Sequence, residues 1–395
     1  MKWGSALSHK QHTLEALAEA MDALEASLEG GPADLIVLFT SAHHVGWLEE
    51  VLQRLAERFP VACRIGCSGG GVIGGGQEVE EGPALSLVGA HLPGVSLTSF
   101  HMDQSELPEP IEAGDFWRAR LGTEALPGLL LLVDPFTLDP DGLVRGLDVA
   151  YPRTPKVGGL ASGGLSPGSN RLVSGDEVWR SGAVGVALSG DIRLHTVVAQ
   201  GCRPIGTPML VTRCQGNAVF ELDGRPPLEV LKQVYDALDA RDRELFTHSL
   251  FVGVEMKDNQ VEYRLGDFLI RHLLGVDPAK GMMVIAGEVR PYQVLQFHLR
   301  DARTAQEDLA RMLQRHAATG PAPGGALLFA CLGRGEHLFG CANHDSQLFR
   351  QVVGDVPLGG FFCSGEIGPV GGRTFLHGYT SAFALFSGRI KSPPE

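Results

Sequence analysis

The sequence predicts an α/β protein in which helices cover mixed β-sheets, and three observations support this fold class. Apolar runs of strand length alternate with segments of helical spacing, which is typical of α/β architectures. The apolar runs are continuous, which indicates strands that are buried on both faces. One order of parts (strand, helix, strand, glycine-rich bend, hairpin, strand) occurs three times along the chain, which indicates an internal repeat.

The composition is that of a globular protein of 395 residues, which is long enough for two domains. A net charge of −13 argues against a nucleic-acid partner, because phosphate binding requires clustered Lys and Arg. No apolar run reaches the ~18 residues of a membrane span, and the N-terminus lacks the features of a signal peptide. Seven cysteines without a CxxC pair fit a reducing compartment. We therefore expect a cytoplasmic protein without a membrane partner, a metal or a cofactor.

The three units are marked by glycine-rich bends, each with a proline seven or eight positions before a Ser-Gly pair. The pairs are Ser68-Gly69, Ser162-Gly163 and Ser364-Gly365. The 52 glycines of the chain are roughly twice the ~7% average share. Such a frequency indicates left-handed turns or close approach of the backbone to another group. We predict that the three bends come together around one place.

The remaining elements follow in chain order. We predict a helix from Thr13 to about Leu28, strands at 35–40, 129–134 and 326–331, and helices at 48–59, 141–150 and 345–353. Between the second and third units, a hairpin around Gln215-Gly216-Asn217 precedes a helix that begins at Pro226-Pro227. Strands at 250–256 and 282–286 and a helix at 304–318 complete this segment. Because the composition changes near residue 214, we place a domain boundary there.

Several motifs resemble those of the FIST (F-box and intracellular signal transduction) family. They are Gly66-Cys67-Ser68 with its glycine tail, the stretch from Glu221 to Glu229, Cys331-Leu332-Gly333-Arg334-Gly335, Leu338-Phe339-Gly340, Gly359-Gly360-Phe361-Phe362, and Leu376-His377-Gly378-Tyr379-Thr380. The resemblance implies a stand-alone protein with an N-type domain at 1–214, containing two repeat units, and a C-type domain at 215–395, containing the third. Residues 1–30 supply one amphipathic helix, which is too short for an F-box. The resemblance also implies a sensory module that binds small ligands such as amino acids and acts with a separate signalling protein.

Two charged residues on bends are candidate ligand contacts. Arg334 lies in a Gly-Arg-Gly turn after a buried strand, where its guanidinium can bind a carboxylate in bidentate fashion. The alternative is an internal salt bridge, for which Glu366 is the candidate partner. Glu366 itself suits an ammonium group, or it accepts hydrogen bonds from the backbone of its own turn. We therefore predict that this pair recognises the two ends of an amino acid.

The bends themselves are the second candidate binding element. Backbone N–H groups around Ser68-Gly69, Ser162-Gly163 and Ser364 can form a nest for an anion such as a carboxylate. The alternative is that these glycines only permit sharp turns between packed strands. No GxxxxGK[ST] phosphate loop occurs.

Three further side chains are candidates for catalysis. Cys363 and Cys67 precede the serines of two bends, and a thiol near a base such as His377 can act as a nucleophile. The alternative for both cysteines is a small buried side chain in a strand. His377 is a candidate general base or ligand donor, and its alternative role is structural.

We predict a small-molecule binding or sensory protein rather than an enzyme, and two alternatives remain open. The first is a hydrolase or acyl-transfer enzyme with a Cys or Ser nucleophile. The Ser-Gly-Gly pattern resembles the cyanuric-acid hydrolase and barbiturase family, which pairs serines with lysines in three repeats. Here only Lys156 lies near a bend in sequence. The second alternative is a protein-interaction scaffold, as the F-box relatives of the FIST family suggest.

Overall fold

The computed structural model describes residues 1–122, 126, 128–257, 260 and 262–389. It confirms an α/β protein with mixed sheets, helices and two domains. By contacts, one compact unit contains Met1–Val198, Ala310–Leu376 and the residues from Thr380 onward, and a second contains Ala199–Leu309 and His377–Tyr379. These units are defined by contacts in the structure and not by sequence motifs. The division into an N-type domain at 1–214 and a C-type domain at 215–395 therefore stays a prediction.

The helices lie where apolar side chains recur at helical spacing. They are α1 Thr13–Ser27, α2 Leu48–Arg58, α3 Ala113–Leu121, α4 Pro140–Ala150, α5 Pro227–Ala237, α6 Ala240–His248, α7 Ala302–Thr319, α8 Glu336–Phe339 and α9 His344–Val353, with 3₁₀ turns at Ala42–Trp47 and Gln104–Glu106. Local signals explain their starts. In α4, Pro140 occupies the first turn and the Asp139 carboxylate accepts a hydrogen bond from the Asp141 N–H. Within the described residues, no helix has the length and apolar content needed to cross a membrane.

The strands alternate with these helices along most of the chain. They are β1 Lys2–Ser8, β2 Leu35–Ser41, β3 Cys63–Gly69, β4 Gly71–Gly74, β5 Gln77–Val79, β6 Leu85–His91, β7 Val95–Met102, β8 Gly128–Val133, β9 Lys156–Leu160, β10 Leu172–Ser174, β11 Glu177–Trp179, β12 Ala183–Gly190, β13 Ile192–Gln200, β14 Cys202–Gln215, β15 Ala218–Leu222, β16 Leu250–Glu255, β17 Phe268–Asp277, β18 Met282–Ile285, β19 Val294–Arg300, β20 Gly325–Cys331, β21 Leu358–Cys363, β22 Glu366–Val370, β23 Arg373–His377 and β24 Thr380–Gly388.

Three six-stranded sheets share one topology. Each is built around a parallel pair: β2 with β3, β8 with β9, and β20 with β21. A returning strand (β6, β12 or β24) runs antiparallel beside the first strand of each pair. The strand orders are β1-β6-β2-β3-β10-β11, β23-β22-β9-β8-β12-β7 and β13-β24-β20-β21-β4-β5. This common order supports the internal repeat that the sequence predicts.

The hairpin after each glycine bend joins a different sheet from the strand before the bend. The hairpin β4–β5 follows β3 but pairs with β21, and the hairpin β22–β23 follows β21 but pairs with β9. The hairpin β10–β11 follows β9 and pairs with β3, which closes the cycle. The three bends therefore lie where the sheets exchange strands.

The inner faces of the three sheets form one apolar core. Phe39 of β2 stacks on Phe361 of β21 with ring centroids 5.0 Å apart, and Phe329 of β20 contacts Phe361 edge-on at 5.9 Å. Helices α1 and α2 cover the outer face of one sheet, and α3 and α4 cover another. Strands β2 and β8 are consequently buried along their whole length, which explains their continuous apolar sequences.

The second unit contains six antiparallel strands that close into a ring in the order β14-β15-β18-β17-β16-β19. Its first two strands form the hairpin predicted around Gly216, which has the positive φ of 57° that such tight turns require. Val252, Leu295 and Phe297 are buried in its core. Helix α5 begins at Pro227, as the sequence predicts.

Candidate functional site

The three glycine-rich bends are in direct contact. The Ser162 N–H donates a hydrogen bond to the Ser68 carbonyl at 3.2 Å, and the Gly70 N–H donates to Ser162 Oγ at 2.8 Å. Ser162 Oγ in turn donates to the carbonyl of Phe362, just before the third bend. The Ser364 N–H donates to the Leu160 carbonyl at 3.1 Å. Residues that are about 100 and 200 positions apart in the sequence therefore form one junction.

Glycine is required in this junction because the backbones approach closely. A Cβ on Gly69 would lie 2.6 Å from the Gly71 carbonyl oxygen and 3.1 Å from Cβ of Phe361. Gly163 has a positive φ of 86°, and its Cβ would lie 3.0 Å from the Gly69 carbonyl oxygen. All three distances are shorter than ordinary van der Waals contact, so larger residues would separate the bends. The close-packing role of these glycines is therefore observed, and the anion nest stays a prediction.

Only part of the junction faces solvent. Ser68 and Ser162 are buried, and their hydroxyl groups bond to the neighbouring bends. Gly163 and Ser364 are exposed. Leu332, whose N–H donates to the Cys363 carbonyl at 3.0 Å, is 46% exposed and lies beside Gly70. We call the surface formed by Gly163, Leu332 and Ser364 the junction rim, because it is where a ligand can reach the bends.

Arg334 forms an internal ion pair, but its partner is Asp345 and not Glu366. Arg334 Nε lies 2.7 Å from Oδ2 of Asp345, and Nη2 lies 2.9 Å from Oδ1. Both side chains are buried, with relative exposures of 0% and 2%. The guanidinium fork expected to hold a ligand carboxylate is thus occupied by a carboxylate of the chain itself. Within the described residues, Nη1 of Arg334 has no hydrogen-bond partner. Direct contact between Arg334 and a ligand stays a prediction.

The environment of this pair keeps it charged. Burial alone disfavours ionised Asp345, but Arg334, His344 and Ser381 outweigh it and hold the pKa of the carboxyl well below its usual range. Burial likewise disfavours a charged Arg334, and the attraction of Asp345 outweighs it and raises the pKa of the guanidinium. The loop that follows β20 is thereby tied to the first turn of α9.

Glu366 is fully buried at the start of β22. Its Oε2 accepts hydrogen bonds from the Thr380 N–H at 3.0 Å and from the Thr380 hydroxyl at 2.6 Å. Burial raises the pKa of Glu366 to about 7, against the opposing effects of Thr380, Cys363 and Arg334. The carboxyl group therefore gains and loses a proton near neutral pH. The Thr380 groups belong to the returning strand β24, and the Cys363 thiol at the end of β21 donates to Oε1 at 3.4 Å. Hydrogen bonding of Glu366 to the backbone of its own turn stays a prediction.

The sequence analysis missed two acidic members of this buried group. Asp345 lies four residues before buried Phe349 on the same face of α9, and this helical spacing was a usable signal. Glu78 is buried in β5, where its Oε1 accepts a hydrogen bond from the Ser346 N–H at 2.6 Å. Burial and the charge of Asp345 raise the pKa of Glu78 to about 7. No local pattern distinguishes Glu78 from an exposed hairpin residue.

The candidate nucleophilic thiols are protonated and inaccessible. Cys363 is fully buried, and its Sγ donates to the Ala330 carbonyl at 3.3 Å and to Glu366 Oε1 at 3.4 Å. Burial raises the pKa of the Cys363 thiol well above its usual range, and it does the same for Cys67. A nucleophilic cysteine requires the opposite shift. The geometry therefore favours the structural role of both cysteines.

His377 and Lys156, the other two residues considered for the enzyme hypothesis, lie at different places in the fold. His377, the last residue of β23, is buried and packs in the second compact unit with Gly378 and Tyr379; its role as a base stays a prediction. Lys156 lies at the far end of β9 from Ser162, and its Nζ contacts Asp148 at 2.8 Å and the Tyr151 carbonyl at 2.6 Å. Lys156 is thus tied to α4 and its following turn.

Comparison with known proteins gives a consistent result along the chain. A model of the FIST N domain matches residues 34–225, and a model of the FIST C domain matches residues 227–369. The chain is 37% identical over 378 residues to an uncharacterized protein of Mycobacterium bovis, with 95% of each chain covered. It is also 37% identical over 387 residues to an uncharacterized protein of Mycobacterium tuberculosis, which covers 98% of this chain and 100% of the relative.

Two other known proteins are less similar in sequence to this chain. An F-box/LRR-repeat protein of Arabidopsis thaliana is 27% identical over 153 residues, which is 34% of this chain and 28% of the relative. A solved cyanuric acid hydrolase from A. caulinodans aligns over 98% of both chains, but with a TM-score of 0.35 and 9% identity. The latter similarity is too weak to support an inference. The two family matches, which together span most of the sequence, show that the chain belongs to the FIST family, with a FIST N domain followed by a FIST C domain.

Proposed function

We propose that this chain is a cytoplasmic sensory protein that binds an amino acid or another small carboxylate at the junction rim and passes the signal to a separate signalling protein. FIST domains are associated with signal transduction and small-ligand sensing. The observation that carries the proposal is the direct contact of the three bends through hydrogen bonds. Gly163 and Ser364 are exposed next to these hydrogen bonds. Backbone N–H and hydroxyl groups on such bends suit a carboxylate.

In this proposal the buried charges position the rim and the exposed groups contact the ligand. The Arg334–Asp345 pair holds the loop that carries Leu332, and Glu366 joins β22 to β24 through Thr380. Ligand contact at the rim then changes the packing of elements that end at this junction. The buried, protonated thiols of Cys67 and Cys363 give no support to the acyl-transfer alternative.

A thermal-shift screen of the full chain with amino acids and small mono- and dicarboxylates tests the proposal. A ligand present at 100 times its Kd should stabilise the native state by about 2.7 kcal/mol. The variant Ser364→Trp covers the rim with a bulky side chain and should abolish the shift. The matched variant Ser105→Trp, at an exposed position of the 3₁₀ turn Gln104–Glu106, should retain it.

Two results would contradict the proposal. The first is the absence of a shift with every carboxylate and amino acid. The second is an equal shift in the wild type and in Ser364→Trp, because the ligand would then bind elsewhere.

A further inference from the structure

A cavity of about 480 Å³ lies at a separate place in the first compact unit. Its polar lining comes from Arg153, Arg193, His195 and Arg389, and part of its apolar lining comes from Leu126 and Pro155. We call it the arginine cavity. Its volume lies within the ~300–1,000 Å³ of small-molecule sites. No residue of the junction rim contributes to it.

The charge of this cavity contrasts with that of the whole protein. The chain carries 46 acidic and 33 basic residues, but no acidic side chain of the described residues lines the cavity. Its three arginines form no ion pair within the described part of the chain, whereas other exposed arginines do. Arg54, Arg145 and Arg303, for example, each contact a carboxylate. Three unpaired guanidinium groups around one cavity leave a positive potential that an anionic ligand would neutralise.

The fold assembles these arginines from distant segments. Arg193 and His195 lie two residues apart in β13, so that they share one face of the strand. Arg389 directly follows β24, and its N–H donates a hydrogen bond to the Asp191 carbonyl at 3.3 Å, just before β13. Arg153 lies in the loop between α4 and β9. Their convergence is therefore a product of sheet packing and not of a basic run in the sequence.

His195 adds a second, independent polar feature. Its Nε2 is buried, and it has no hydrogen-bond partner among the described residues. Burial and the positive charge of Arg193 lower the pKa of His195, and the ring lies 5.7 Å from that of His316. A buried polar atom without a partner costs free energy unless a ligand or water satisfies it. His195 also lines the cavity, so this buried nitrogen belongs to a residue beside the place that an anion would occupy.

We propose that the arginine cavity binds a small organic phosphate with two or more negative charges, held by Arg153, Arg193 and Arg389. Guanidinium groups bind phosphate oxygens through two parallel, charge-assisted hydrogen bonds. They stay positively charged at neutral pH. The apolar side chains of Leu126 and Pro155 provide contacts for the organic part of the ligand. This site would be a second ligand site, independent of carboxylate binding at the junction rim.

Isothermal titration calorimetry of the full chain tests this assignment with ATP and a sugar bisphosphate, each without added metal. Inorganic phosphate and citrate serve as comparison ligands. We expect at least one of the two organic phosphates to bind at least about tenfold more tightly than both comparison ligands, a difference of ~1.4 kcal/mol. Arg193→Ala and Arg389→Ala should each weaken this binding by at least about tenfold. Both arginines are exposed, so that folding should be unaffected.

The control variant Arg145→Ala removes the same charge from an exposed helix position and should bind like the wild type. Ser364→Trp should also bind normally, which separates this site from the proposed carboxylate site. The assignment is overturned if neither organic phosphate binds, or if Arg145→Ala weakens binding as much as Arg193→Ala. Equal affinity for citrate would refute the preference for phosphate.

Discussion

Arg334 binds Asp345 through two parallel hydrogen bonds inside the first compact unit, with Nε 2.7 Å from Oδ2 and Nη2 2.9 Å from Oδ1. The pair connects the loop after β20 to the first turn of α9. Because neither group is accessible to water, each depends on the other for compensation of its charge. The stability of the junction rim should therefore depend on this pair.

We expect Asp345→Asn to lower the free energy of unfolding by about 3–5 kcal/mol, because it leaves the Arg334 charge buried without a counterion. Urea denaturation followed by circular dichroism measures the change. The matched control is Asp355→Asn, which removes the partner of Arg350 in an exposed ion pair and should have little effect. Equal losses in the two variants would show that the buried pair contributes no more than a surface pair.

Glu366 should make stability depend on pH in a defined direction. Burial raises its pKa from 4.5 to about 7, so the folded protein binds this proton more tightly than the unfolded chain does. The contribution of protonated Glu366 to the free energy of unfolding is fully present below pH 4.5 and is lost as the pH rises through about 7. Glu366→Gln mimics the protonated carboxyl. As the pH rises from 4.5 to about 7, its free energy of unfolding should therefore rise by up to about 3 kcal/mol relative to that of the wild type.

Denaturation of both proteins at a series of pH values measures this difference. The comparison with the variant is needed because buried histidines such as His298, whose pKa burial lowers to about 4, act in the opposite direction. Glu15→Gln makes the same change at an exposed position of α1 and is the matched surface control, which should change the free energy of unfolding less than Glu366→Gln does. A constant difference between wild type and Glu366→Gln at all pH values would contradict the assigned pKa.

Gly158 should be indispensable for the parallel pairing of β8 with β9. An added Cβ would lie 1.8 Å from the Leu131 carbonyl oxygen on the neighbouring strand, and backbone atoms in a central pair cannot move away cheaply. We expect Gly158→Ala to lower the free energy of unfolding by about 3 kcal/mol, the upper end of the usual cost of overpacking. Calorimetric melting temperatures measure the effect. Gly46→Ala, where nothing lies within 4 Å of the added Cβ, is the control; a similar melting temperature for both variants would refute the close approach.

The thiols should differ sharply in reactivity. Cys67 and Cys363 are buried, with pKa values raised by burial, whereas Cys341 is exposed. We expect iodoacetamide to label Cys341 in the native protein and to reach Cys67 and Cys363 only after unfolding. Peptide mapping by mass spectrometry gives the rate at each cysteine. Native labelling of Cys363 at the rate of Cys341 would restore the nucleophile hypothesis.

The sequence by itself was sufficient to predict the α/β class, most of the helices and strands, and the family. These features depend on short-range spacing of apolar residues, prolines and glycines, as in the continuous apolar strand β8 and the Pro227 start of α5. The three Ser-Gly pairs also identify the positions of the three bends in the sequence. Local patterns of this kind are preserved whatever the tertiary arrangement.

Only the tertiary structure decided which distant groups meet. It selected Asp345 over Glu366 as the partner of Arg334, placed Glu78 beside the same pair, and brought Arg193 and Arg389 to one cavity. The hairpin exchange brings Glu78 of β5 to Ser346, which is 268 positions away, and the neighbouring strands β13 and β24 bring Arg193 close to Arg389. A sequence motif specifies the chemistry of a side chain, but its electrostatic environment arises from the elements packed around it.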